Sequence, residues 1–297
     1  MRYVYNYSGY DVIQCTNCHS STISTLPSIE ELEKFYDGFL FNADLCKKPA
    51  VVNKHIKAWY KSFNLRQQAN MLDVGGGGGY FSFAFERFGF GKAFYIDIDH
   101  QACEFASSSL GLKNVINSAV ENLHEHCKEK EFDFIYCRHV IEHLLEPTRN
   151  ITNIIKLMKD DSVFVLQCPN GYSLEKSFYI SNTKRKIKNL VSCNQFSFFA
   201  ALRIMLSKKI VFGLEPIRHL WSITPKGLDS FLAQIDGIEY SVFTASLSDP
   251  VFSPWVSQTK NFKNKLLLKI SQIFCSRFTG GAHLVAIIRK SPSAETS

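Results

Sequence analysis

The feature that most constrains this 297-residue chain is the run Met71-Leu-Asp-Val-Gly-Gly-Gly-Gly-Gly-Tyr80, where an apolar segment ends directly on five glycines. The spacing predicts a short strand, a glycine turn and then an apolar helix over YFSFAFERFG, closed by Gly89. Such a turn lets a ligand approach the backbone without interference from Cβ atoms, and the helix start presents free N–H groups to polar or anionic atoms. Asp97 follows 22 residues after Gly75, at the end of a second strand-like run, KAFYIDID. An acid about 20 residues beyond a glycine turn, at a strand tip, is placed to accept hydrogen bonds from ribose hydroxyls. A merely flexible glycine turn would need neither the flanking elements nor the acid in register.

The surrounding pattern keeps the same rhythm. HQACEFASSSLG reads as a helix, NVINS as a third strand, EFDFIYC as a fourth, PTRNITNIIKLMKD as a helix and SVFVLQC as a fifth strand. Strands alternating with helices of this length predict an α/β fold built on a parallel sheet. Upstream, LPSIEELEKFYDGF and VVNKHIKAWYKSFN read as helices, the latter with Val52, Ile56 and Trp59/Tyr60 on one face. Downstream, ITPKGLDSFLAQI reads as a helix, and IEYSVFTAS and HLVAIIRK as final strands. The expected organisation is an N-terminal segment over 1–50, a core over 51–170, a basic aromatic lid insertion over 171–222, and a C-terminal part of the core over 223–297 with a second basic insertion.

Composition removes several classes. With 45% hydrophobic and 21% charged residues the chain is core-forming, which excludes disordered, collagenous and coiled-coil architectures. The longest apolar candidate, near Phe198–Leu206, is short and interrupted by Arg203, and the start MRYVYNYSGYD lacks the apolar stretch of a secretory signal. Nine scattered cysteines, several inside strand-like runs, read as reduced core thiols. These points predict a cytoplasmic protein, with peripheral contact at the inner membrane face as the alternative.

The glycines match neither common nucleotide fingerprint. In each frame of G-x-G-x-x-G the third glycine would fall on Tyr80, Phe81 or Ser82, and no Gly-Lys-Ser/Thr follows. Met71–Gly79 instead resembles the first motif of class I S-adenosylmethionine (SAM) methyltransferases. Cys137-Arg-His-Val-Ile-Glu-His-Leu-Leu-Glu-Pro147 resembles the "HVLEHL-x-x-P" segment of a bacterial group that methylates sugars, lipid precursors and secondary metabolites. Cys168-Pro-Asn170 and His219-Leu-Trp-Ser-Ile-Thr-Pro225 resemble two further segments of that group, so that the likeness spans about residues 28–170 and 218–290. Cys15-x-x-Cys18 is similar to the second half of an N-terminal zinc knuckle found in relatives, with His19 where glycine is usual.

The resemblance implies a Rossmann-like class I fold, a seven-stranded, mainly parallel sheet with helices on both faces and the last strand antiparallel. It implies SAM as cofactor, with Asp73, Gly75, Gly77 and Gly79 around its methionine part, Asp97 on the ribose, and Ile98 against adenine. Ser118, Ala119 and Val120 would line the other adenine face, Ser118 standing where an Asp is common. Arg138 and His139 would lie where the methyl group meets the substrate.

The chemistry is in-line attack on a sulfonium methyl, so a hydroxyl acceptor calls for a base. His219, His139 and His143 are the candidates, with Glu142 beside the last; a capping or core role is the alternative for each. His219 stands first because it joins the lid to the core. The motifs of adenine amino-methylases and cytosine C5 enzymes are absent after strand four, and no acid triad of the metal-dependent catechol type is found. An oxygen nucleophile on a small, anionic acceptor is the resulting expectation.

Two thiolates fall short of the four ligands zinc prefers, and nothing in the spacing of His19 or Cys46 demands their help, so no metal is expected. Residues 176–214 hold eight Lys/Arg and no acid, and 250–294 hold seven, again with none. With Phe196, Phe198, Phe199, Trp255 and Phe262 interspersed, these segments read as a solvated lid, a membrane-surface patch or a grip on a phosphate-bearing substrate. Nucleic acid ranks last, for want of a recognised module. The alternatives to a small-molecule enzyme are an RNA methyltransferase and a non-catalytic SAM-binding module.

Overall fold

The computed structural model describes residues 1–36, 49–127, 131–173, 175, 180–194, 196–201, 214, 218–247, 249, 251–252 and 280–290. Its first elements are three short antiparallel strands, β1 (Arg2–Tyr7), β2 (Tyr10–Gln14) and β3 (Ser21–Ile23). A turn at Ser8 and Gly9, both with positive φ, joins the first two. Helix α1 (Ile29–Tyr36) starts on a reciprocal cap, in which the Glu31 amide donates to Ser28 Oγ and the Ser28 amide donates to the Glu31 carboxylate. Helix α2 (Pro49–Ser62) follows.

The core then unfolds in the expected order: β4 (Ala69–Val74), α3 (Tyr80–Arg87), β5 (Gly91–Asp97), α4 (His100–Ser108), β6 (Asn114–Asn117), a short α5 (Leu123–His126), β7 (Phe132–Arg138), α6 (Pro147–Ile155) and β8 (Met158–Pro169). Beyond it come α7 (Ile180–Asn194), β9 (Trp221–Ser222), α8 (Pro225–Leu232), β10 (Ile238–Ala245) and β11 (His283–Lys290). Seven strands form one sheet in the order β10-β11-β8-β7-β4-β5-β6. Pairing is parallel from β8 through β6, and the last strand, β11, enters antiparallel to both neighbours. This is the Rossmann-like α/β arrangement that the sequence predicts.

Period-two alternation divides the core between the two faces of the sheet. Met71, Phe134, Val163, Val165 and Val285 pack with Ile56, Trp59 and Tyr60 of α2 and Phe81 and Phe85 of α3. Their chain neighbours Leu72, Ile135, Phe164, Leu166 and Leu284 pack on the opposite face with Ile151 and Ile154 of α6 and Leu228 and Leu232 of α8. Five central strands buried on both faces explain why these segments read as continuous apolar runs.

The N-terminal strands are not a separate appendage. β9 pairs with β3, and Tyr5, Val12 and Ile23 bury against Leu190, Ala201, Leu214 and Leu220. Asn194 clamps the backbone of Asn6, accepting from its N–H and donating to its carbonyl, each at 2.7 Å. The opening strands thus pack with the described residues that lie between β8 and α8. Those residues meet the core at the Leu220 and Trp221 amides, which both donate to the Glu142 carbonyl.

Candidate functional site

At the carboxyl ends of β4, β5 and β7 lies a cavity of about 520 Å³. This is where open parallel sheets bind ligands, because each strand there opens into a loop. The loop after β4 takes left-handed backbone at Gly75 (φ +65°) and Gly77 (φ +50°), a region that side chains with a Cβ rarely enter. Gly75 N–H donates to the Ile96 carbonyl at 2.8 Å, and Tyr95 Oη donates to the Gly77 carbonyl at 2.7 Å, so β5 holds the loop in place. A Cβ at Gly77 would meet no atom within 4 Å; it borders open space on the cavity wall.

Asp97 closes that wall. Its carboxylate accepts from the Gly77 amide at 2.8 Å and from the Asp99 amide at 2.9 Å. Burial raises its pKa, and these amide donors oppose the rise. Next to it Ile98 is 42% exposed, an apolar side chain uncovered on the cavity surface, with Ala119 and Val120 also lining the space. Ser118 supports this part through its amide, which donates to the Asp97 carbonyl at 3.0 Å. An acid, a glycine loop and apolar surfaces in one cleft can hold a nucleoside by ribose and base.

Asp73 and Gly79 sit behind the loop rather than on the cavity. Gly79 caps α3, and the buried Asp73 accepts from Ser82 Oγ at 2.7 Å and from the Ser82 amide at 3.3 Å. Burial pushes its pKa up to about 6, against the pull of those two donors. Arg138 is half-buried, does not line the cavity, and has its pKa lowered by burial.

The same cavity is lined by His139, His143 and His219, so all three predicted histidines are brought together. His139 follows β7 with φ +56°, a conformation uncommon outside glycine, anchored by its amide donating to the Gln167 carbonyl at 2.8 Å. Its Nδ1 lies 3.1 Å from Glu142 Oε1. His143 Nε2 lies 3.7 Å from the same oxygen, while its Nδ1 contacts the Arg218 carbonyl. The rings of His143 and His219 meet edge to face with centroids 4.7 Å apart. Burial lowers the His143 pKa, which favours the neutral ring.

Glu142 is the residue whose weight the sequence does not disclose. Its side chain is 1% exposed at the centre of the histidines. The i, i+3, i+4 spacing of 139, 142 and 143 suggests one face of a helical turn, but the structure has a non-helical turn there, with His139 at φ +56°, and that turn sets the three side chains around Glu142. Leu32 and Arg218 also line the cavity without being anticipated.

The Cys15/Cys18 turn is closed by the Cys15 amide on the Ser20 carbonyl and the His19 amide on the Cys15 carbonyl. His19 has φ +62°, the left-handed conformation for which glycine is usual at that place. The Cys18 and Asn17 amides lower the Cys15 pKa. Cys46 lies outside the described residues. Of the lid residues, Phe198 and Phe199 are 56% and 79% exposed and Lys188 is exposed, whereas Arg203, Lys208 and Lys209 of the lid and Trp255 and Phe262 of the second basic insertion lie outside the described residues. No helix among the described residues is long and apolar enough to cross a membrane.

A family model described as "Methyltransferase domain" matches residues 50–232. No curated protein matches the chain. Similar solved structures include the plantazolicin methyltransferase BamL in complex with a triazolic desmethylPZN analog and SAH, at 18% identity over 89% of this chain and 91% of that one, with a TM-score of 0.46. A SAM dependent methyltransferase from Archaeoglobus fulgidus is 17% identical over 82% of this chain and 95% of its own, with a TM-score of 0.49. The YcgJ protein from Bacillus subtilis is 13% identical over 80% and 99% of the two chains, with a TM-score of 0.45.

Proposed function

This chain belongs to the methyltransferase-domain family and is a SAM-dependent methyltransferase, and we propose that it methylates an oxygen on a small, anionic acceptor. The observation that carries the proposal is that one cavity is lined both by Gly77, Asp97 and Ile98 and by His139, His143 and His219. Its volume of about 520 Å³ is in the range of small-molecule sites.

SAM, when bound, supplies an activated methyl group on a sulfonium. The residues present fit it. Asp97 offers a carboxylate to the ribose, Ile98 an uncovered apolar face to the adenine, and Gly77 a stretch of backbone with open space where a Cβ would stand. Asp73, Gly75 and Gly79 shape the loop that would face the methionine part, and Ser118, Ala119 and Val120 the second adenine wall. His139, just beyond the tip of β7, lines the cavity where the two ligands would meet, while Arg138 stands behind it, off the cavity surface.

The acceptor then lies against the histidine cluster. The chain's task there is to hold the nucleophilic oxygen in line and to take up its proton, and the imidazoles around Glu142 serve it, His219 joining them from the lid insertion. Arg218 beside His219, and the acid-free run of cations over 176–214, favour an acceptor with negative charge.

The test is a transfer assay with methyl-labelled SAM against fractionated small-molecule extracts, with the product identified by mass. Incorporation into an anionic metabolite through an O-methyl bond supports the proposal. Label that appears only in RNA or protein contradicts it.

A further inference from the structure

We propose that Glu142, His143 and His219 form a binding site for one divalent transition-metal cation of the zinc type, set in the wall of the cavity. Its use in the reaction rests on the reading above, in which the acceptor lies against the histidine cluster; its existence does not.

The first argument is the orientation of His143. Its Nδ1 faces the Arg218 carbonyl, which can only accept, so Nδ1 carries the proton and donates. That leaves Nε2 as the ring's ligating atom, and it lies 3.7 Å from Glu142 Oε1, close enough for one cation to bridge the two. A backbone carbonyl behind one nitrogen is also the usual support of a metal-ligating imidazole, because it fixes both tautomer and ring direction.

The second argument is Glu142 itself. Oε1 has His139 Nδ1 at 3.1 Å, yet Oε2 is buried and has no hydrogen-bond partner among the described residues. A buried carboxylate oxygen left in that condition costs free energy that a cation would remove.

The third is the geometry of the set. One ligand atom from each of Glu142, His143 and His219 lies within 4.8 Å of the others, the one such grouping among the described residues. Bonds of about 2.0–2.1 Å in a tetrahedron put ligand atoms roughly 3.3 Å apart, so modest side-chain movement closes the site. Two imidazoles and one carboxylate are an open set that leaves a fourth position for a non-protein ligand, and their donor atoms suit zinc, iron or cobalt better than magnesium or calcium. His143 and His219 both line the cavity, so that fourth position is accessible to the acceptor oxygen, which the cation would hold in line; with those two imidazoles bound to the cation, uptake of the acceptor proton would fall to His139.

The experiment uses the tag-free full chain, stripped with a chelator and dialysed against zinc alone, with bound metal measured by elemental analysis. One zinc per chain is expected, and cobalt in its place should give the visible absorption of a nitrogen–oxygen site. Glu142→Gln and His219→Ala should each weaken zinc binding by about tenfold or more, while Cys15→Ser with Cys18→Ser leaves it unchanged. SAM binding, measured by calorimetry on the same preparations, reports that each variant is folded and stands as a separate test of the reading above. Should Glu142→Gln fail to fold, His219→Ala carries the test. A chain that takes up no zinc overturns the proposal. So does zinc retained at wild-type affinity in His219→Ala, or zinc lost with the two cysteines.

Discussion

Gly75 and Val140 are packed so closely that a Cβ built on Gly75 would overlap Val140 Cγ2. The contact joins the glycine loop to the turn after β7 that carries His139. Gly75→Ala should therefore destabilise the fold by about 1–3 kcal/mol, from left-handed strain and overlap together. Gly89→Ala has φ +74° with open space around the new Cβ, so it should show the strain alone and cost less. Adding Val140→Ala to Gly75→Ala should recover the overlap but not the strain. Urea denaturation of the four proteins checks this; a double variant no more stable than Gly75→Ala contradicts it.

Asp73 makes stability depend on pH in a definite direction. Its carboxyl titrates at about 6 in the folded chain against an ordinary 3.8, chiefly because it is buried. Between these values the folded state holds more protons than the unfolded one, so this group's contribution falls as pH rises through the window and is constant above it. Asp73→Asn removes the titration. The stability of the variant relative to wild type should rise between pH 4 and pH 6, by on the order of 2–3 kcal/mol, and then level off. A difference that does not change with pH would show that Asp73 is ionised throughout.

Glu175 stitches the end of the sheet. Its buried carboxylate accepts from Ser246 Oγ at 2.7 Å, from the Leu247 amide at 3.0 Å and from the Ala282 amide at 2.9 Å. Glu175→Ala leaves all three donors without it and should cost about 3 kcal/mol or more, with Glu175→Gln between the two. Chemical denaturation measures both, and a loss under 1 kcal/mol for Glu175→Ala would mean that water replaces the carboxylate.

The sheet was legible because its strands are buried on both faces. Runs such as Phe132–Cys137 and Ser162–Cys168 need no partner to be recognised, and Gly75 to Asp97 places the loop against the tip of β5; Met158–Asp160, which the sequence reads as the end of a helix, instead open β8. The N-terminal strands were not. In β1 only Tyr5 is buried, and its cover, Leu190 and Leu220, comes from a distant stretch of sequence. Helix α7 falls inside the stretch that the sequence marks only as a basic aromatic lid insertion, because its buried positions, such as Leu190, answer to those same strands. Within the site, the three histidines were legible as candidates, but their convergence on Glu142 is a property of the fold. The Glu142 backbone carbonyl that receives Leu220 and Trp221 brings His219 to its place, and no local spacing encodes that contact.

The most direct test of the central claim, that SAM binds in the cavity bordered by Gly77 and Asp97, is calorimetric titration of SAM into the wild-type chain and into Asp97→Ala. One saturable site per chain is expected. Losing the ribose acceptor should weaken binding by about 1–3 kcal/mol in a variant that remains folded by circular dichroism. No saturable heat with the wild-type chain, or equal affinity in the two proteins, would contradict the account.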